Sequence, residues 1–210
     1  MRKSLALAVL LLLAAGTAFA QQDYPTVETS PAFMYIRTPG ILNGSNAFNC
    51  VGGGGTLAYN FSSVAALAFD GGGCKVLNNN NTILNGKVNG NEFTFLFGPR
   101  FTYRSSSKFQ PFFEVNFGGM RVSVSCNSSA PNCVAATGGA TYSKTAFAAT
   151  AGGGFDMKLS RKFSLRLVQA EYLYTRFGNS CSFPVCGQNN HQNSFRLKSG
   201  IVIGWGGSAK

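Results

Sequence analysis

The stretch EFTFLFGPRFTYR, residues 92–104, changes character at every step. Phe93, Phe95, Phe97, Pro99, Phe101 and Tyr103 fall on one side, and Glu92, Thr94, Leu96, Gly98, Arg100, Thr102 and Arg104 on the other. A period of two belongs to a β-strand with unlike faces, because a helix repeats its apolar positions near 3.6. So greasy a face needs an apolar layer to lie against. That layer is either a second sheet, as in a sandwich, or the acyl chains of a membrane.

Working outward, the same period recurs along the chain. Phe195, Leu197, Ile201, Ile203 and Trp205 share one side of the last segment, with Arg196, Lys198, Gly200, Val202 and Gly204 opposite. Val27 to Arg37, Gly52 to Phe61, Val64 to Gly73, Phe109 to Val124, Thr145 to Leu159 and Phe163 to Phe177 also read as strands, which makes eight. The alternation breaks around Gly118-Gly119 and between Arg166 and Gln169, and both places are read as candidate bulges. Short connections at Ser62-Ser63, Ser105 to Lys108 and Ser160 to Lys162 alternate with long ones at Thr38 to Val51, Cys74 to Asn91, Ser125 to Lys144 and Gly178 to Asn193. The long ones hold the Asn, Gly and Ser clusters of loops. An even strand number with short turns at one end and long loops at the other predicts an all-β fold, an eight-stranded antiparallel up-and-down transmembrane β-barrel. A secreted sandwich, the alternative for the same rows, gives no reason for the loop lengths to alternate.

Composition agrees with export and with a membrane. Of 210 residues 45% are hydrophobic and only 12% charged, against roughly 25% charged in ordinary soluble domains. That excludes a chain too polar to bury a core. No apolar run reaches the length of about 18 residues that a spanning helix needs. Arg2 and Lys3 precede the apolar run Leu5 to Ala15, and Ala18-Phe19-Ala20 offers small residues at the positions that a signal peptidase reads. Residues 1–20 are therefore expected to be a signal peptide and 21–210 the barrel domain.

Export places Cys50, Cys74, Cys126, Cys133, Cys181 and Cys186 in an oxidising compartment, where an even set pairs by default. Sequence neighbours suggest Cys126 with Cys133 and Cys181 with Cys186, leaving Cys50 for Cys74, although connectivity is not deducible from sequence. All six fall in or beside the long loops, which are expected to be disulfide-stiffened. With the single histidine His191 and no repeated ligand spacing, no metal site is expected. Gly52 to Gly55, Gly71 to Gly73 and Gly152 to Gly154 are not followed by Lys-Ser or Lys-Thr, as a phosphate-cradling loop would be, and no cofactor is expected. They read as places where strands bend and long inward side chains find room.

The net charge of +11 falls by two once Arg2 and Lys3 leave with the signal. Its positive residues are scattered singly rather than clustered, so nucleic acid is not the expected partner; outer-membrane lipid and lipopolysaccharide are. Glu92, Glu114 and Asp156 have inward parity, as do Glu28, Asp70 and Glu171 in their weaker strands. Arg100, Lys158, Arg196 and Lys198 share that parity. The expectation is a lumen network of Arg100, Glu114, Asp156, Lys158, Glu171, Arg196 and Lys198, since buried charge is tolerable when paired, and a closed, polar-filled core, since eight strands enclose little more than their own side chains. Phe93, Phe95, Phe97, Phe101, Leu197, Ile201, Ile203 and Trp205 are expected to face lipid. Tyr103, Phe109 and Trp205 fit a periplasmic aromatic girdle, and Tyr172 and Tyr174 an outer one.

Taken together, the export signal, the eight strands, the alternating connections and the last strand Ser194 to Trp205 resemble the OmpA/OmpX-like group of small outer-membrane β-barrels. The resemblance implies insertion by the barrel-assembly machinery into the outer membrane of a Gram-negative-type bacterium. Members end on an aromatic residue, whereas here Gly206 to Lys210 follow Trp205. The peptidoglycan-binding domain of longer members is not expected. A structural or surface-interaction role without catalysis is expected, with a low-conductance pore as the alternative; the loops name no extracellular ligand. Some barrels of this size modify lipid, which singles out His191, Ser194 and the distant acid Glu92 as the set such chemistry would draw on.

Overall fold

A strand surrounded by acyl chains must pair along both edges, because no water is present to satisfy its N–H and C=O groups. The chain meets this requirement by closure. A computed structural model describes residues 24–39, 47–77, 80–81, 86–104, 108–126, 141–178 and 191–206. Eight long strands form the ring: β1 (Val27–Thr38), β2 (Phe48–Asn60), β3 (Ala65–Val76), β4 (Gly86–Thr102), β5 (Phe109–Cys126), β6 (Tyr142–Lys158), β7 (Phe163–Arg176) and β8 (His191–Trp205). Each pairs antiparallel with its neighbours in sequence, and β1 pairs with β8 from Val27↔Trp205 to Arg37↔Phe195, so the first and last strands meet. A two-residue piece, Asn80–Asn81, pairs with Gly86 and Lys87 beside the ring. Among the described residues no helix is long and apolar enough to cross a membrane.

Side-chain parity sorts the two faces. Phe93, Phe95, Phe97, Phe101, Ile201 and Trp205 stand exposed on the outside, and the half-buried Leu197 and Ile203 share that face. Tyr103, Phe109 and Trp205 lie by the short turns, where the Trp205 indole Nε1 donates to Thr29 Oγ1 at 3.1 Å. At the other end the Tyr172 hydroxyl donates to Asn193 Oδ1 at 2.7 Å, and Tyr174 stacks on His191.

The ladders run further toward the long loops than the greasy alternation does. β2 begins at Phe48 rather than Gly52, and β4 at Gly86 rather than Glu92. Beyond the acyl layer a strand no longer needs an oily face, and backbone pairing alone carries it on. Cys50 and Cys74 are therefore strand residues, not loop residues. They are joined across β2 and β3 with their Cα atoms 5.5 Å apart, both buried in the lumen. This corrects the expectation that the bond braces a loop. Cys133, Cys181 and Cys186, the side chain of Cys126 and the expected signal peptide 1–20 lie outside the described residues.

Of the two candidate bulges, one is present. Leu167 and Val168 of β7 together oppose Ser199 of β8, and both stand exposed toward lipid while Arg166 and Gln169 both turn inward. No register shift occurs at Gly118-Gly119; those residues pair in step with Leu96 and Phe95 on one side and with Ala148 and Phe147 on the other. The apparent break has a different cause: beyond Gly118 the inward residues Met120 and Val122 are apolar and the outward Arg121 is charged. Two outward glycines are roofed by rings. A Cβ on Gly73 would come within 2.7 Å of the Phe93 ring, and one on Gly119 within 2.6 Å of Phe95 Cε2, an aromatic covering that restores contact where a glycine leaves the sheet bare.

Candidate functional site: a lumen in two storeys

Inward parity brings six acids into the barrel, Glu28, Asp70, Glu92, Glu114, Asp156 and Glu171, all buried. Charge in such a space is tolerated only when paired and hydrogen-bonded, and the storey nearer the short turns is built that way. Arg100 of β4 donates from Nε to Glu114 Oε2 of β5 at 2.7 Å. Arg166 of β7 forks onto Asp156 of β6, Nε to Oδ1 at 2.8 Å and Nη2 to Oδ2 at 2.9 Å, and its Nη1 donates to Gln169 Oε1 at 2.9 Å. The amide of Gln169 in turn donates to Glu114 Oε1, joining the two pairs. Arg196 of β8 bridges Glu171 Oε2 at 2.7 Å and Asp70 Oδ1 at 2.8 Å. Lys198 contacts Asp70 and lies 3.5 Å from Glu171 Oε2, while Thr56 donates to Asp70 at 3.0 Å. Arg100, Arg166 and Arg196 are each at most 1% exposed.

The bulge and the doubled Phe112-Phe113 complete this storey. Phe112 turns inward between two guanidinium groups, 4.9 Å from Arg100 and 4.4 Å from Arg166, so its ring face gives both cations a further partner. Space for such long side chains comes from small inward residues. At Gly152, opposite Glu171, an added Cβ would overlap the Ala170 carbonyl oxygen and stand 2.9 Å from Glu171 Cγ.

Toward the long loops the lumen changes character. Met34, Ile36, Leu96, Met120, Val122, Ala146, Ala148, Leu173 and Phe177 pack with the Cys50–Cys74 disulfide into one apolar cluster. The polar filling expected throughout therefore occupies only part of the barrel, because the inward parity of these positions carries oil rather than charge. Glu92 lies beside this cluster, its Oε2 4.0 Å from the Cys74 sulfur. Cys50, Cys74 and Glu92 bring potential ligand atoms within 4.8 Å of one another, but a disulfide has no thiolate to give a metal.

Of the expected network, Arg100, Glu114, Asp156, Glu171, Arg196 and Lys198 are brought together. Lys158 is not: it ends β6 at the turn-side mouth, exposed, and forms no ion pair among the described residues. Parity gives its face correctly but says nothing of its depth. Sequence reasoning left Asp70, Arg166, Gln169 and Phe112 out of the network. The parity break at Arg166 to Gln169 was the signal for two of them, since an inserted residue turns both ends of the break to the same side. His191 and Ser194 are not assembled into a catalytic set; His191 faces outward, while the buried Ser194 shares a 2.8 Å hydrogen bond with Thr38 Oγ1.

Known proteins with this fold agree. The structure superposes on Neisserial surface protein A with a TM-score of 0.63 at 12% identity, covering 86% of this chain and 97% of that one. On Ail, the attachment invasion locus protein of Yersinia pestis, the TM-score is 0.52 at 13% identity, covering 86% of this chain and 99% of that one. No curated protein gave a significant match. The sequence matches the family "Outer membrane protein beta-barrel domain" over residues 5–200. A closed ring of eight strands, greasy outside and ionic within, that matches this family over nearly its whole length belongs to it, and its place is the outer membrane of a Gram-negative-type bacterium.

Proposed function

We propose that the protein is a non-conducting outer-membrane scaffold with a structural and surface-interaction role, inserted by the barrel-assembly machinery and engaged from outside by lipopolysaccharide. The observation that carries the first part is the ionic storey. Three buried arginines, with Glu114, Glu171, Asp70 and Lys198, cross the lumen from β3, β4, β5, β7 and β8, and the apolar cluster lies above them. A hydrated ion would have to break these pairs and then cross an oily layer, each a barrier to conduction. In planar-bilayer recordings the purified protein is expected to show no steady conductance; stable open channels would overturn the reading in favour of a small pore.

The second part rests on the outer rim. Arg37, Lys75, Arg121 and Arg176 are exposed toward the loop ends of β1, β3, β5 and β7, one on every second strand around the ring. Cations at that height suit the phosphates of the outer leaflet, with which guanidinium groups pair bidentately. Replacing all four by Gln is expected to weaken binding of purified lipopolysaccharide at least tenfold and to leave barrel formation intact. Equal binding by the variant would remove lipopolysaccharide as a partner of this rim.

A further inference from the structure

At the opposite end the barrel opens into a cavity of about 80 Å³, large enough for several waters or one tetrahedral anion. Its wall draws on the start of β1, the end of β4, the β6–β7 turn and the last residues of β8, so it sits within the ring of strands, not on the lipid-facing side. Glu28, Arg104, Lys158, Arg161, Lys162 and Ser164 contribute to the lining. Four of these are cations and one is an acid.

The acid is already engaged. Arg104 Nη2 lies 2.7 Å from Glu28 Oε1, and the same guanidinium donates to the Ser63 carbonyl and to Asn60 Oδ1. Asp156, the next acid inward, is held on both oxygens by Arg166. Lys158, Arg161 and Lys162 are left exposed, with no ion pair among the described residues. Elsewhere in the lumen this chain pairs arginine with carboxylate repeatedly. Here three positive charges converge within five residues on one concavity. Like charges so placed repel one another, and an anion seated among them relieves that repulsion.

We propose that the periplasmic mouth is a binding site for a phosphate group on a soluble molecule, held by Lys158, Arg161 and Lys162 with the Ser164 hydroxyl as an additional donor. A phosphate monoester carries about −1.5 to −2 charge and three acceptor oxygens, which matches several converging cations better than a singly charged carboxylate does. The axial position favours a soluble source, because a lipid headgroup in the surrounding leaflet reaches the outside of the barrel first.

The test uses the full-length mature chain in zwitterionic micelles, titrated with inorganic phosphate at constant ionic strength and followed by amide NMR shifts. Saturable shifts at Lys162, Ser164 and Gly204 are expected, with at least tenfold weaker binding in the triple variant Lys158→Gln, Arg161→Gln, Lys162→Gln. The control Lys108→Gln, an exposed cation beside another short turn that does not line the cavity, should bind phosphate as the parent does. Linear, unsaturated shifts, or undiminished binding in the triple variant, would overturn the site. Repeating the titration in nanodiscs containing phosphatidylglycerol separates the sources. Unchanged phosphate affinity supports a soluble ligand, and competition by the lipid overturns that assignment in favour of a headgroup. Heat-modifiable gel mobility of each variant shows that its barrel has formed.

Discussion

Arg196→Met is expected to destabilise the folded barrel by about 3–5 kcal/mol, the range for removing one partner from a buried ion pair. Arg196 holds both Glu171 and Asp70, at 2.7 and 2.8 Å, so its loss leaves two buried carboxylates with Lys198 as their shared counterion. The penalty arises from the charges left behind more than from the bonds removed. A second substitution separates the two causes. Arg196→Met combined with Glu171→Met removes one stranded charge and leaves Asp70 on Lys198, and should recover a substantial part of the loss. Urea unfolding from lipid vesicles, followed by the fluorescence of the single tryptophan Trp205, measures both. A double variant no more stable than Arg196→Met would show that the cost lies in packing instead.

Gly152→Leu is expected to prevent the barrel from closing. The Cβ would overlap the Ala170 carbonyl oxygen and lie 2.6 Å from Glu171 Cα, so it meets the backbone of a paired strand, which has nowhere to go without breaking the ladder between β6 and β7. Overpacking in a relaxed core costs about 1–3 kcal/mol, occasionally more; contact with backbone and with a buried ion-paired acid places this substitution at or beyond the upper end. Gly178, where an added Cβ meets nothing within 4 Å, is the comparison. Heat-modifiable gel mobility after refolding should be lost in Gly152→Leu and kept in Gly178→Ala. Retention in both would mean that the strands have slack that their close approach does not suggest.

The barrel was legible because the membrane imposes a rule that sequence displays directly. Phe93 to Phe101 and Phe195 to Trp205 alternate for as long as one side faces lipid, and loop lengths report which end is which. The ionic storey followed from the same parity, since acids and bases avoid the oily side. What parity does not carry is height and partner. Lys158 shares the inward register of Asp156 but stands at the strand's end, and some of the ion pairs join strands far apart in sequence, as Asp70 and Arg196 do. The oily upper storey was hidden for another reason. Leu96, Met120 and Leu173 look like ordinary apolar residues, and only a height along the axis distinguishes an inward one from a misplaced lipid-facing one. Met120 beside Arg121 consequently read as a slip in register.

The position of the disulfide sets an order of events during biogenesis. Cys50 and Cys74 belong to adjacent strands of one hairpin, so their sulfurs can be brought together before any other strand is in place. Once the wall is complete they lie buried within the oily cluster, with the lattice of arginines and carboxylates between them and the periplasmic end. The clasp is therefore expected to be fastened while the polypeptide is still in transit, so that the membrane receives that pair of strands already stapled.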